Sequence, residues 1–220
     1  MAQQPIFVRS SLSKRLFDIA FSLLALILLL PIFLIISAII LFQSSGPVFH
    51  VCKRVGQGGR IIHCLKFRTM YEGADLLLEQ IIAGNPRMNA EWHAFQKLKN
   101  DPRVTPFGKF LRTTSLDELP QFWNVLKGDL SVVGPRPPSL YGPEESFLHE
   151  LRGIYGEKMD SILSVKPGIT GAWQVAGRSE IGLSERSQIE AEYAETRTFW
   201  KDLILIAKTI PAVLFTRGAF

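Results

Sequence analysis

Apolar positions are concentrated near the N-terminus, where Ile19 to Phe42 is a run of 24 residues without a charge, broken only by Ser22, Pro31 and Ser37. As a straight helix it would reach about 36 Å, more than a hydrocarbon core of about 30 Å. A secretory signal fits poorly, because the run is too long for an h-region and no Ala-x-Ala-like cleavage site follows. Arg9, Lys14 and Arg15 precede it and Lys53, Arg54 and Arg60 follow, so both ends carry the charges of cytoplasmic flanks. Pro31 lies near the midpoint, where it removes a backbone donor and crowds the preceding turn. These features predict a bent, re-entrant helical hairpin; a single kinked transmembrane helix with its N-terminal tail outside is the alternative, since membrane helices tolerate proline.

Beyond Gly46-Pro47 the period changes. Val48–Cys52 and Ile61–Leu65 are β-prone runs around Gly56-Gln57-Gly58-Gly59, which predicts a β-hairpin. The glycines read as a turn rather than a phosphate cradle, because no Lys-Ser or Lys-Thr follows and no strand-to-helix pattern opens there. Lys66 and Arg68 close the second strand, two apart and so on one face. Helical patterns over Ala74–Ala83 and Asn89–Lys99, anchored by Leu76, Leu77, Ile81, Trp92 and Phe95, flank Gly84-Asn85-Pro86. Ser115 and Glu118 have capping-box spacing ahead of Pro120, predicting a helix from about Ser115–Asp117 through Val125 or Leu126, stopped by Gly128. Ser139 to Lys158 is polar and partly helical, and Trp173-Gln174-Val175 reads as extended. Phe199 to Phe215 is apolar but holds Lys201, Asp202, Lys208 and Pro211, which suits an interfacial helix better than a span and leaves a buried core helix open.

The chain of 220 residues has a formal net charge of +5, and its pI near 9.3 implies an acidic partner: anionic lipid, phosphorylated small molecules or nucleic acid. The cations are dispersed and no recognition motif occurs, which argues against nucleic acid. Two cysteines, Cys52 and Cys64, form no disulfide framework and fit a reducing compartment. His50 and His63 stand near them, but the adjacent His63 and Cys64 point to opposite faces of a strand, which disfavours zinc.

Candidate chemistry gathers at Asp117-Glu118. A carboxylate can act as nucleophile or base, its neighbour can hold a divalent cation, and arginines can clamp phosphate. Two acids in a first helical turn are also ordinary cap and dipole partners. Arg112 ahead of the pair, and Arg136 framed by Pro135 and Pro137 behind it, favour the chemical reading.

The chain resembles the bacterial monotopic phosphoglycosyl transferases, or polyprenyl-phosphate sugar-1-phosphate transferases. Lys14-Arg15-Leu16-Phe17-Asp18-Ile19, Lys66-Phe67-Arg68-Thr69-Met70, Asn100-Asp101-Pro102-Arg103-Val104-Thr105, Thr114 through Gln121, Asn124 through Asp129, Val133-Gly134-Pro135-Arg136-Pro137 and Pro167-Gly168-Ile169-Thr170-Gly171 occur in that family's order. Glu91-Trp92, Lys97 through Asp101 and the ending Arg217-Gly218-Ala219-Phe220 lean to the hexose-1-phosphate branch, which handles galactose or glucose. Near Glu190 through Arg197 the chain departs from the family pattern: Glu190 stands for an Asp, Tyr193 is kept, and Arg197 replaces a common aromatic. Many members of the branch carry an extra N-terminal membrane bundle, so the chain is expected to be a naturally short form or a trimmed one.

The resemblance implies an α+β, mostly helical protein: an N-terminal segment and re-entrant membrane helix in residues 1–45, and in residues 46–220 a compact cytoplasmic catalytic domain with a small β-hairpin and amphipathic interfacial helices. It implies an enzyme of the bacterial inner membrane that transfers a sugar-1-phosphate from a UDP-sugar to polyprenyl (undecaprenyl) phosphate. UMP leaves, and the product begins a surface polysaccharide or glycoconjugate. Asp117 would carry the phosphosugar covalently, Glu118 would hold Mg²⁺, and Arg112 and Arg136, within the frame of Pro135 and Pro137, would bind phosphate. Lys66 and Arg68 are further substrate-binding candidates, Arg178 is a candidate anion contact, and Tyr155 is a weaker substrate neighbour. Membrane lipid is an expected partner, and a homodimer is left open. Direct transfer with Asp117 as base, and a non-catalytic scaffold binding anionic lipid, are the competing readings.

Overall fold

A computed structural model describes residues 11–95, 98–139, 147–177 and 181–214. Arg178, the ending Arg217–Phe220 and residues 140–146 of the polar stretch lie outside the described residues.

The apolar run forms two helices, α1 (Leu12–Leu28) and α2 (Leu30–Gln43), which meet at an angle of 59°. The break is at Leu29, and Pro31 sits in the first turn of α2, where its missing N–H costs no hydrogen bond. No single helix among the described residues is long and apolar enough to cross a membrane, but this bent pair passes by length and composition. Leu23, Leu24, Ile27, Leu28, Leu34, Ile35, Leu41 and Phe42 are exposed along it.

Both ends of the pair are tied to the rest of the chain. At the start, Lys14 lies 3.0 Å from Asp18 and 3.0 Å from Asp202, and Asp18 accepts from the Val132 N–H at 3.1 Å. Arg15 donates to the carbonyls of Val125 and Leu126, the second at 2.6 Å. At the far end, Arg68 donates to the carbonyls of Ser44, at 2.8 Å, and Ser45. Arg15 thus reaches carbonyls in the last turn of the helix Gln121–Lys127, where a cation is favoured, and Arg68 holds the two carbonyls that follow α2.

The hairpin forms as expected from β1 (Phe49–Val55) and β2 (Ile61–Phe67), antiparallel, with Cys52 opposite Cys64 and His50 opposite Lys66. Alternation gives β2 two uses: Ile62 and Cys64 pack with Val125, Leu130, Val132, Val133 and Tyr193, while Phe67 packs with Ile36, Ile40 and Leu111. Two helices follow, α3 (Ala74–Gly84) and α4 (Pro86–Phe95). The second begins three residues earlier than the periodicity suggests, because the Asn85 carboxamide accepts from the N–H groups of Arg87 and Met88, both at 3.1 Å, and caps it.

The chain then forms α5 (Pro106–Thr114), a 3₁₀ turn at Leu116–Glu118, α6 (Gln121–Lys127) and β3 (Ser131–Val133). Beyond it come α7 (Phe147–Tyr155), α8 (Lys158–Leu163), β4 (Gly168–Thr170), which pairs parallel with β3, and α9 (Ala172–Ala176). The last two helices are α10 (Leu183–Thr196) and α11 (Phe199–Leu214). The stretch around Trp173-Gln174-Val175 is therefore helical, not extended. Tyr155 packs with Val55, Leu151, Met159, Ile162, Leu163 and Ala191. On α11, Asp202 is buried and Leu205 and Ile206 pack inward, while Phe199, Trp200, Ile204 and Ile210 are exposed.

Candidate active site

Asp117 and Glu118 do not begin an α-helix. Ser115 takes a left-handed conformation, φ 58°, as the C-cap of α5, and its side chain makes no capping bond to the following turn. The capping-box spacing misleads because α5 runs up to Thr114, and a helix that ends at Ser115 needs a left-handed residue there. The acids ride on the 3₁₀ turn that follows, and α6 starts only at Gln121 after Pro120. Gly128, at φ 94°, ends α6 as the sequence predicts.

What brings the turn to the hairpin is Asn124 on α6. Its carboxamide accepts from the Leu65 N–H at 2.8 Å and donates to the His63 carbonyl at 2.7 Å, as a neighbouring strand would. The next residue of β2 is Lys66, whose ammonium lies 2.7 Å from Glu118 Oε1 and 3.3 Å from Asp117 Oδ2. From beyond β3, Arg136 grips Glu118 with both ends of its fork, Nη2 to Oε1 at 2.7 Å and Nη1 to Oε2 at 3.0 Å.

The two carboxyls are thereby made unlike. Burial pushes the Asp117 carboxyl above its ordinary value; Lys66 pulls it down, and the charge on Glu118 pushes it up again. Burial also opposes ionisation of Glu118, but Arg136 and Lys66 outweigh it and hold that carboxyl well below the usual range. Lys66 is raised despite burial, by Glu118 and then Asp117. The outcome is a committed anion beside a more basic carboxylate, the split that separates roles at a catalytic pair.

The other candidates fall in two groups. Arg112, in the last turn of α5, donates from Nε to Thr69 Oγ1 at 2.9 Å, and its charge helps to lower Asp117. Pro135 and Pro137 are buried on either side of Arg136, and the Pro135 carbonyl accepts from the Gly168 N–H at 2.9 Å, so they shape the backbone that presents it. Arg68 does not join the pair. It lies beyond the end of β2 and turns to the C-terminus of α2, so the shared strand face expected of Lys66 and Arg68 is not realised. Tyr155 is in the core, and its hydroxyl is pushed up by burial.

Two residues support the site from α10: Glu190, which the sequence reading notes only as a departure in place of an Asp, and Arg186, to which it gives no role. Glu190 Oε1 accepts from the Arg136 N–H at 2.9 Å, and Arg186 Nη2 donates to the Arg136 carbonyl at 3.2 Å. The available signal is an acid four residues after an arginine on a helix face shared with Ala191, Tyr193 and Ala194, all buried.

Among the described residues no group of three or more His, Cys, Asp or Glu gathers to hold a metal ion. Mg²⁺ needs less than that, because it keeps waters and is held by one or two carboxylates plus substrate phosphates. The all-oxygen pair of Asp117 and Glu118 fits such a hard cation.

A family model described as bacterial sugar transferase matches residues 9–216. The chain is 38% identical over 209 residues to the exopolysaccharide production protein ExoY of Sinorhizobium fredii, covering 95% of this chain and 88% of that protein. It is 39% identical over 207 residues to the undecaprenyl-phosphate galactose phosphotransferase of Salmonella typhimurium, covering 94% of this chain and 41% of that protein. A UDP-glucose:undecaprenyl-phosphate glucose-1-phosphate transferase of Klebsiella pneumoniae is 38% identical over 212 residues, covering 94% of this chain and 41% of its own length. With a match that spans residues 9–216, the chain belongs to the bacterial sugar transferase family and is a phosphoglycosyl transferase.

Proposed function

We propose that the protein transfers a hexose-1-phosphate from a UDP-sugar to undecaprenyl phosphate by way of an acyl phosphate that joins the phosphosugar to Asp117. The observation that carries this reading is the buried pair of unlike carboxyls, one raised and one held ionised by Lys66 and Arg136. An Asp117 oxygen attacks the sugar-bearing phosphorus; the bond from that phosphorus to the bridging oxygen breaks, and UMP leaves with the electron pair. A phosphate oxygen of undecaprenyl phosphate then attacks the same phosphorus and the Asp117 carboxylate departs. The product is undecaprenyl diphospho-hexose. Lys66 and Arg136 neutralise the incoming diphosphate, and Arg112 adds charge from the α5 side. Glu118 is the residue that would hold Mg²⁺, which when bound screens the charge of the diphosphate.

The hairpin of α1 and α2 enters the cytoplasmic face of the inner membrane and returns. Support comes from its two ends: Lys14 and Arg15 at the start and Ser44 and Ser45 at the finish are all bound to the same body. A helix that crossed fully would tear the first set from the second. The exposed face of α11 lies in the interface beside it.

Intact-mass measurement of the protein with Mg²⁺ and UDP-galactose or UDP-glucose, without acceptor, tests the covalent route. Mass gain of one hexose phosphate, mapped to Asp117 and matched by UMP, is expected, with neither signal from Asp117→Asn. A raised carboxyl suits a general base as well, so direct transfer is the second reading. Under that reading no UMP appears until undecaprenyl phosphate is added.

A further inference from the structure

Arg136 reaches Glu118 with its side chain, but its main chain is fixed from a different element. Between Pro135 and Pro137, neither of which has an N–H, the Arg136 amide is the sole backbone donor, and it goes to Glu190 Oε1 at 2.9 Å. The Arg136 carbonyl accepts from Arg186 Nη2 at 3.2 Å, and Arg186 Nε in turn donates to Glu190 Oε2 at 3.3 Å. Arg186 is itself backed by the Trp173 ring, 4.2 Å from the ring centre. The prolines restrict their own φ angles, and the Gly168 N–H holds the Pro135 carbonyl at 2.9 Å, while the Arg136 N–H and carbonyl are held by Glu190 and Arg186.

Glu190 is 1% exposed. Burying an acid there is costly, and burial does push its carboxyl up, against the pull of Arg186 and the Arg136 N–H. A neutral side chain could fill the same space. What the carboxylate adds is one oxygen for the Arg136 amide and another for the arginine that holds the Arg136 carbonyl.

We propose that Glu190, with Arg186, is a positioning residue for Arg136: it clamps the Pro135–Pro137 backbone, so that the guanidinium can leave Glu118 for the donor diphosphate while the main chain stays in place. This rests on the reading of Arg136 as a ligand of the donor diphosphate. The clamp acts on the half of the reaction in which the nucleotide is present. Donor use therefore depends on it, and attack by the lipid acceptor does not.

The test is steady-state kinetics of the full chain in lipid, varying UDP-sugar and undecaprenyl phosphate separately, for Glu190→Gln, Glu190→Asp and Arg186→Lys. Misplacement of a substrate-binding group by about an ångström costs up to about 100-fold, so kcat/KM for the donor is expected to fall about 10- to 100-fold in Glu190→Gln. The acceptor kcat/KM should change less than about threefold, and Glu190→Asp should recover part of the donor loss. In an Arg136→Lys background, where the fork is already gone, the Glu190→Gln penalty should largely vanish. If Glu190→Gln does not fold, Glu190→Asp and Arg186→Lys carry the same comparison. Equal losses for donor and acceptor, or a penalty undiminished beside Arg136→Lys, would overturn the clamp. Unchanged donor kinetics would do so too. A wild-type protein without UMP release would overturn the transferase reading and the clamp with it, whereas wild-type turnover with indifferent variants overturns the clamp alone.

Discussion

Lys66 offers the sharpest probe of the proposed chemistry, because it is the only cation within hydrogen-bonding distance of both carboxylates among the described ion pairs. Replacing it by methionine keeps the stem and deletes the charge. At 3.3 Å from Asp117, a unit charge contributes about 5 kcal/mol at an effective dielectric near 20. Desolvation of the ammonium offsets part of this, and breaking a buried pair costs roughly 3–5 kcal/mol in practice. Lys66 lies closer to Glu118, but Glu118 keeps its two bonds to Arg136, and a part of the loss falls on Asp117. Should only about 2 kcal/mol of it act on protonation of the nucleophile, the first turnover slows about 30-fold at pH values below the Asp117 titration. The sign with pH follows from the electrostatics: Lys66 lowers the Asp117 carboxyl, so without it Asp117 holds its proton to higher pH. Single-turnover UMP release followed as a function of pH should show the rise in rate displaced to higher pH in Lys66→Met, with recovery toward the wild-type rate above the displaced titration. Lys66→Arg should keep the wild-type profile. A loss of equal size at every pH, or a profile displaced to lower pH, would refute the claim that Lys66 tunes Asp117.

Other expectations rest on separate parts of the structure. Asn124→Ala leaves the Leu65 N–H and His63 carbonyl without their partner, and should lower stability by about 2 kcal/mol in denaturant unfolding while slowing turnover through Lys66. Leu111→Ala, at a fully buried position between α2 and β2, should cost about 3–5 kcal/mol and be visible as a drop in Tm. Because the folded Glu118 carboxyl lies well below its ordinary value of 4.5, the unfolded chain binds more protons in that range. The stability Glu118 contributes is thus complete above about pH 4.5 and is lost as pH falls toward the folded value; Glu118→Gln should flatten this part of the acid limb in thermal unfolding.

The elements that local chemistry controls were legible in the residues themselves. An uncharged run of this length with a central proline sets a bent apolar helix pair, two β-prone runs around a glycine cluster set the hairpin, and Gly128 ends α6 as only a residue tolerant of left-handed backbone does easily. The chemistry-bearing residues were also visible, since Asp117, Glu118, Arg112 and Arg136 lie in short motifs. Misreadings came where a local rule had a competitor. Ser115-x-x-Glu118 satisfies a capping box, yet the same serine ends the preceding helix, so the acids sit on a 3₁₀ turn.

Only the tertiary structure decided who meets whom. Lys66 and Arg68 are equivalent by strand parity, but the strand stops between them; one cation goes to the dyad and the other to the carbonyls at the end of α2. Neither the strap from Asn124 to β2 nor the hold of Glu190 on the Arg136 peptide has a local pattern, because each joins residues more than fifty positions apart. The sequence by itself thus determined the bent apolar helix pair, the strands and the presence of two acids and their basic company. Which acid is held ionised, and by whom, was set by burial and by ion-pair distances of about 3 Å, quantities that exist only once distant segments have packed.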